Sequence, residues 1–240
     1  MGSETGAGRE VLEEMSEAPR FTDWTFDLVG KHIRGTVLEV GSGIGNNVAR
    51  LVALADRVVA TDIEPGYVEL LAERFRSAPV EVRQWDVTRG RLAGCSADVV
   101  FCSNVLEHIV EERSALESMR ESLAAEGTLV LIVPQGRWLF SSLDESVEHV
   151  RRYDEDRLRQ LANELGFSVT SLFSFNRAAV LGWLWRGRIR GKRTLGRGNM
   201  RLYNRLVPLL RAVDRLLPWR GLSLCLIASR SASDPVAPRK

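Results

Sequence analysis

The chain has 240 residues, 45% of them hydrophobic and 27% charged, with a net charge of +2. That length and balance suit one globular domain with a sizeable core, and no run reaches the roughly 18 apolar residues a membrane span needs. The three cysteines, Cys95, Cys102 and Cys225, form no CxxC pair, which argues against a disulfide framework and fits a reduced, cytoplasmic setting.

Residues 1–19 are polar and acidic, lack the basic start and apolar stretch of a signal peptide, and are expected to form a flexible tail. A single domain is expected over 20–230, with 231–240 as a disordered tail. Thr36–Gly41 reads as a strand and Ile44–Ala55 as a helix with Ile44, Val48, Leu51 and Val52 on one face. Arg57–Ile63 is a second strand, and Pro65 opens the helix after it. Val80–Val87 and Ala97–Asn104 are two more strands. Leu116, Met119 and Leu123 predict a helix over 111–124, before a fifth strand at Gly127–Pro134. Asp154 caps a helix carrying Leu158, Leu161 and Leu165, which Gly166 stops. Phe167–Phe175 and Ser223–Ser229 are the last two strands. Val, Leu and Ile runs without alternation are buried on both faces. The expected fold is therefore α/β: a doubly wound, mostly parallel seven-stranded sheet with a helical insertion between the last two strands.

That insertion, 177–222, is too long for a plain loop. Leu202, Leu206, Leu209 or Leu210, Val213 and Leu217 give it helical periodicity, interrupted by Pro208. From Trp183 to Arg220, ten arginines and one lysine face a single acid, Asp214, a local +10 that leaves −8 on the rest of the chain. Three readings are open. An amphipathic helix could pack on the sheet or on a second subunit of a homodimer and leave its arginines in water. A lid could cover a large apolar acceptor, its arginines meeting an anionic or carrier-bound group. An interfacial helix within 183–220 could rest on an anionic membrane, making the protein peripheral to it.

The first strand runs into Gly41, Gly43 and Gly45. A dinucleotide fingerprint needs a third glycine at position 46, which is Asn46, and no Gly-Lys-Ser/Thr triphosphate loop is present. Glu39, just before the loop, would repel a pyrophosphate but suits a cationic amine, while amides at the following helix start favour an anion. A ligand carrying both an ammonium and a carboxylate fits, as in S-adenosylmethionine. Asp62, ending the second strand, can take two ribose hydroxyls. Asp86, ending the third, can accept from an adenine amino group beside the Val87 amide.

LEVGSGIG, TDIEP, QWDV, FCSNVLEHI and GTLVLIVP, in that order and spacing, resemble the successive motifs of class I S-adenosylmethionine-dependent methyltransferases. Among these the chain is similar to the small-molecule branch of the ubiquinone and menaquinone biosynthesis enzymes, over about residues 20–175. The resemblance implies the Rossmann-like methyltransferase fold, with S-adenosylmethionine as cofactor and S-adenosylhomocysteine as product. It places Glu39 at the methionine ammonium and Gly41, Ser42, Gly43 and Gly45 along the methionine and ribose. Asp62 would hold the ribose, Ile63 would pack on the adenine and Asp86 would bond it, with Asn104 and Val105 under the sulfonium. Phe21 and Trp24 would close over the cofactor.

The acceptor side should come from the segments after the fourth and fifth strands. His32 lies at the wrong end of the sheet, and His108 reads as a helix-start or packing residue. His149, in LDESVEHVRRYDEDRL, is the candidate general base, because an unperturbed histidine titrates near neutral pH. Its H-x-R-R-Y context, His149 to Tyr153, resembles an acceptor-side motif of the same relatives, with Tyr153 or Arg152 orienting the substrate. The blander alternative is that His149 and Arg151 anchor a loop. Asp144, Glu145 and Glu148 beside it read as a solvated face, so no metal is expected. Ser103-Asn104-Val105-Leu106 departs from the N/D-P-P-Y/F segment of base-amine methylators, which argues against a nucleic-acid partner. The expected activity is methyl transfer to a small or lipid-like acceptor, at a hydroxyl or carboxyl oxygen, with carbon and nitrogen open. The alternative is a non-methylating cofactor-binding protein on the same fold.

Overall fold

The structure, a computed structural model, describes residues 4–189, 194 and 196–230. The expected tail at 231–240 and residues 1–3 lie outside the described residues. Seven strands, β1 (Thr36–Val40), β2 (Arg57–Asp62), β3 (Val80–Gln84), β4 (Ala97–Ser103), β5 (Leu123–Pro134), β6 (Phe167–Phe175) and β7 (Ser223–Arg230), form one sheet. Their order is β3-β2-β1-β4-β5-β7-β6. Only β7 runs antiparallel to its neighbours, lying between β5 and β6 with Leu226 opposite both Leu131 and Leu172. The expected doubly wound fold is what the chain adopts.

β1 pairs with β2 on one side and β4 on the other, Glu39 standing opposite Ala60 and Phe101. The chain order reverses there, and a crevice at the strands' carboxyl ends is the usual ligand site of such a sheet. One sheet face, with Leu38, Val100 and Leu131, packs on Leu116 and Met119 of α5 (Glu112–Ser122) and on Leu158 and Leu161 of α7 (Glu155–Glu164). The other, with Val37, Phe101 and Val130, packs on three helices. These are α2 (Pro19–Val29), α3 (Val48–Val52) and α4 (Pro65–Arg74), through Trp24, Phe26, Leu51 and Leu71. Each such fully buried aliphatic side chain contributes about 1.5–3 kcal/mol.

Two expected boundaries move. The helix expected over 44–55 is only α3, because Gly41, Gly43 and Gly45 all take positive φ and hold the preceding residues in turns. The expected flexible tail is helical instead: α1 spans Glu4–Ser16, and α2 starts directly after it, with Pro19 in its first turn, where a missing N–H costs nothing.

The insertion folds as α8 (Ala179–Trp183), a wider π-type turn over Leu184–Ile189, and α9 (Arg197–Asp214). Pro208 does not interrupt α9 as expected; the helix runs through it. Burial of Val207 and Tyr203 against the α2 layer, with Met200 buried as well, outweighs the single hydrogen bond that proline removes. As expected, the arginines of α9 stay largely in water, 57% exposed at Arg197 and 64% at Arg201, yet several of them pair with acids of the N-terminal helices. α9 lies parallel to α1 and α2 with a constant offset of 184 residues: Arg197 pairs with Glu13 and Arg201 with Glu17. Asn204 accepts from the Arg20 amide, and Arg211 pairs with Asp27 at the same offset. Part of the charge asymmetry is therefore met within the chain, the basic helix lying against the acidic N-terminal helices. Among the described residues no helix is long and apolar enough to cross a membrane.

Candidate active site

The carboxyl end of β1 turns sharply into the glycine loop. Gly41 has φ +66°, and a Cβ there would lie 2.5 Å from a Val105 methyl, so the loop can approach the start of the β4 loop only without a side chain. Gly41→Ala is therefore expected to cost about 1–3 kcal/mol in urea unfolding and to weaken cofactor binding; a loss below 0.5 kcal/mol would contradict the fit. Glu39 is 1% exposed, and its carboxylate accepts from the Ser42 hydroxyl at 2.7 Å. Burial pushes its pKa up to about 7, against the pull of its bonds from Ser42 and Asn47.

Asp62, ending β2, accepts from the Gly43 amide at 2.8 Å and the Glu64 amide at 3.0 Å, which ties the two strand ends together. Burial raises its pKa as well. Ile63 beside it is 53% exposed, an apolar side chain left open at the rim. Asp86 caps a short 3-10 turn. One oxygen takes the Thr88 amide and hydroxyl and the other takes Arg89, and the bond from the Thr88 hydroxyl leads in lowering its pKa. Three of a carboxylate's roughly four acceptor positions are thus in use, and Val87 next to it is buried. Asn104 has a left-handed φ of 54° and is exposed, while Val105 is half-buried against Gly41.

Phe21 and Trp24 do not cover this loop. Both join the core: Phe21 stacks on Phe175 at 6.2 Å and meets Tyr203 at 5.8 Å, and Trp24 packs edge-on to Phe175. Their side of α2 is taken by the sheet and α9, so they are already occupied. The cover comes from α1. The Leu12 side chain lies 2.8 Å from where a Gly43 Cβ would stand, and the Leu12 carbonyl accepts from Asn46 Nδ2 at 3.0 Å.

On the acceptor side, α6 (Ser142–Ser146) begins with a capping box in which Asp144 is fully buried, contrary to the expected solvated face. Glu145 and Glu148 are exposed as expected. Asp144 accepts from the Ser141 amide at 2.9 Å, from Arg152 Nε at 2.7 Å, and bonds His149 Nδ1 at 2.9 Å. Burial would raise its pKa, but the His149 and Arg152 contacts hold it below the usual carboxylate range. The His149 side chain is 11% exposed, and its Nε2 lies 3.7 Å from Glu107 Oε1. Glu107 and His108 form the 3-10 turn after β4, and the His108 and His149 rings meet at 4.7 Å, nearly perpendicular. His32 lies before β1, at the opposite end of the sheet from this group.

Neither expected orienting residue reaches a substrate. Tyr153 is 0% exposed, and its hydroxyl donates to Glu112 at 2.7 Å, a carboxylate that also binds Arg151 and Arg157. Arg152 is buried between Asp144, the Gln135 carbonyl and the Trp183 ring, 4.5 Å from its guanidinium carbon. Both anchor the loop after β5. Tyr153→Phe is accordingly expected to cost about 1 kcal/mol of stability while leaving S-adenosylhomocysteine affinity unchanged, by thermal unfolding and calorimetry.

Residues 38–129 match a family model described as a methyltransferase domain. An uncharacterised methyltransferase of Mycobacterium tuberculosis is 31% identical over 96 residues, covering 40% of this chain and 49% of the relative. The mitochondrial ubiquinone biosynthesis O-methyltransferase of Schizosaccharomyces pombe is 30% identical over 99 residues, 40% of this chain and 36% of that one. Together these matches support a class I S-adenosylmethionine-dependent methyltransferase. These matches span about half or less of the curated relatives' length. Solved methyltransferases agree in fold. One, a sarcosine dimethylglycine methyltransferase assignment from Galdieria sulphuraria, has a TM-score of 0.60 at 14% identity, covering 89% of this chain and 86% of its own. Another, the N-methyltransferase NodS of Bradyrhizobium japonicum in complex with S-adenosylhomocysteine, has 0.57 at 13%, covering 88% and 85%. At such identities the likeness concerns architecture alone.

The methyltransferase cofactor fits the residues present. Glu39 offers a buried carboxylate bonded only by neutral groups, Gly41 and Gly43 take positive φ and carry no side chain of their own, and Asp62 stands at the next strand end with Ile63 exposed beside it. These residues would hold the ammonium, the methionine and ribose, and the adenine. Sequence reasoning missed Glu107, Asp144 and Leu12. The run Leu106-Glu107-His108 directly after β4, with His149 after β5, was the available signal for the first of these.

Proposed function

We propose that this chain transfers a methyl group from S-adenosylmethionine to a hydroxyl or carboxyl oxygen of a small or lipid-like acceptor. The bound cofactor supplies a sulfonium-activated methyl group; the chain's residues position both partners and deal with the acceptor's proton. Glu39 holds the ammonium end, and Asp62 with the glycine loop fixes the nucleoside side, so that reacting atoms are aligned before transfer. The observation that carries the acceptor reading is the Asp144–His149 bond at 2.9 Å. A buried carboxylate only accepts, so Nδ1 carries the proton and Nε2 is left as the basic atom, beside the loop that follows β4. His149 thereby takes or steers the proton of an acceptor oxygen. Trp183, whose ring lies on Arg152 and whose Nε1 donates to the Leu139 carbonyl, supports the first half of the insertion as a wall of the acceptor side.

The test is incubation with methyl-labelled cofactor and a panel of phenols, sugars, carboxylic acids and hydroxylated lipids. Labelled product should form, and His149→Ala should reduce turnover by about 100-fold or more while S-adenosylhomocysteine affinity holds. Unchanged turnover would reject the role of His149. Tight cofactor binding without transfer to any acceptor would favour a non-methylating protein.

A further inference from the structure

We propose that Glu107, His108 and His149 bind a divalent transition-metal cation on the acceptor side of the sheet. One ligand atom from each of the three lies within 4.8 Å of the others. Glu107 is 0% exposed, and neither carboxylate oxygen has a hydrogen-bond partner among the other described residues. A buried carboxylate without a partner is costly, and here it faces the group that needs a cation. Asp144 sets the His149 tautomer so that Nε2 turns its lone pair toward Glu107 Oε1 at 3.7 Å. With Nε2 unprotonated and Glu107 ionised, two lone-pair-bearing atoms at that distance repel each other. A cation between them satisfies both: metal bonds of about 2.0–2.2 Å in a tetrahedral site put ligand atoms roughly 3.3–3.6 Å apart.

The outer contacts are those of a built site. Asp144 is held by Arg152 and the Ser141 amide, giving a carboxylate–histidine pair of the kind that orients ligating imidazoles. Two imidazoles and one carboxylate favour zinc, cobalt or manganese over magnesium or calcium, which take oxygen ligands. Three protein ligands leave a coordination position open. Its role in transfer rests on the activity proposed above. A hydroxyl bound at that position would lose its proton to solvent and keep the O–H electron pair, which would form the bond to the methyl carbon as the methyl–sulfur bond breaks and its pair passes to sulfur, leaving S-adenosylhomocysteine. His149 then acts as a ligand, and the cation does what the free imidazole would otherwise do.

The full chain, stripped with a chelator and dialysed, is titrated with Co²⁺ and followed by calorimetry and visible absorption. One cation per chain should bind, with the absorption of nitrogen- and oxygen-ligated Co²⁺. Glu107→Gln, His149→Ala and His108→Ala should each weaken binding at least about tenfold, and Asp144→Asn by about 10–100-fold. His108 is exposed, so its variant keeps the test decisive if a buried one fails to fold, as thermal unfolding without cation reports. His32→Ala, at the other end of the sheet, should bind Co²⁺ as before. No binding at millimolar Co²⁺, or affinity unchanged in both His108→Ala and Glu107→Gln, overturns the site. S-adenosylhomocysteine is titrated into the same samples. Co²⁺ binding without S-adenosylhomocysteine binding would support the cation site and reject the activity proposed above.

Discussion

Glu39→Gln is expected to raise the dissociation constant for S-adenosylhomocysteine by about 30-fold or more, because removing one member of a buried charge pair costs roughly 2–5 kcal/mol. The same change should leave the ligand-free protein at least as stable at pH 8. Burial lifts the Glu39 pKa from 4.5 to about 7, so the folded state keeps a proton that the unfolded chain releases. The resulting stability is complete below pH 4.5 and is lost as pH rises through about 7. Gln cannot ionise, and its unfolding temperature should fall less between pH 5 and pH 8 than that of the natural chain. An ammonium ligand recruits the ionised carboxylate, so affinity should decline as pH drops below about 7, with a proton released on binding. Calorimetry in two buffers of different ionisation heat reads that proton. Equal affinity in Glu39→Gln would show that the ammonium is held elsewhere.

Asp144→Ala should be the most destabilising change at the acceptor side, costing about 3–5 kcal/mol in urea unfolding. The carboxylate is the shared partner of Arg152, His149 and the Ser141 amide, and Arg152 has a 1% exposed side chain that would keep its charge with no carboxylate bonded to it. Replacing Arg152 with Leu in the same chain should recover part of the loss, since the costly species is the lone buried cation. A loss below about 1 kcal/mol would mean that the loop rearranges to let water reach Arg152.

The placement of the candidate cofactor residues from Glu39 to Asp86 was legible because they lie at or near the ends of strands that can be read locally. Gly41 and Asp62 follow Val-rich strands and Asp86 the mixed stretch VEVRQW, and parallel pairing brings those ends side by side. The acceptor half was not. Whether Asp144 is a surface acid or a buried anchor depends on Arg152 and on the short helix it caps, which local composition does not encode. Glu107 and His149 meet only because two separate loops fold toward each other, the Val150 amide bonding the Glu107 carbonyl at 2.9 Å. Phe21 and Trp24 were misplaced for a similar reason. An aromatic pair on an amphipathic helix looks the same whether it faces a ligand or, as here, Phe175 and Tyr203.

The 184-residue offset between the N-terminal helices and α9 sets an order of assembly. Contacts so distant in sequence form late, and on the ribosome α1 emerges first while its arginine partners emerge near the end. β1, β2, β3 and β4, with the glycine loop among them, are synthesised before any of those partners exists. A nascent chain therefore has α1 held to the glycine loop by Leu12 and Asn46 alone, and its ion pairs close only when the last quarter of the protein has joined the first.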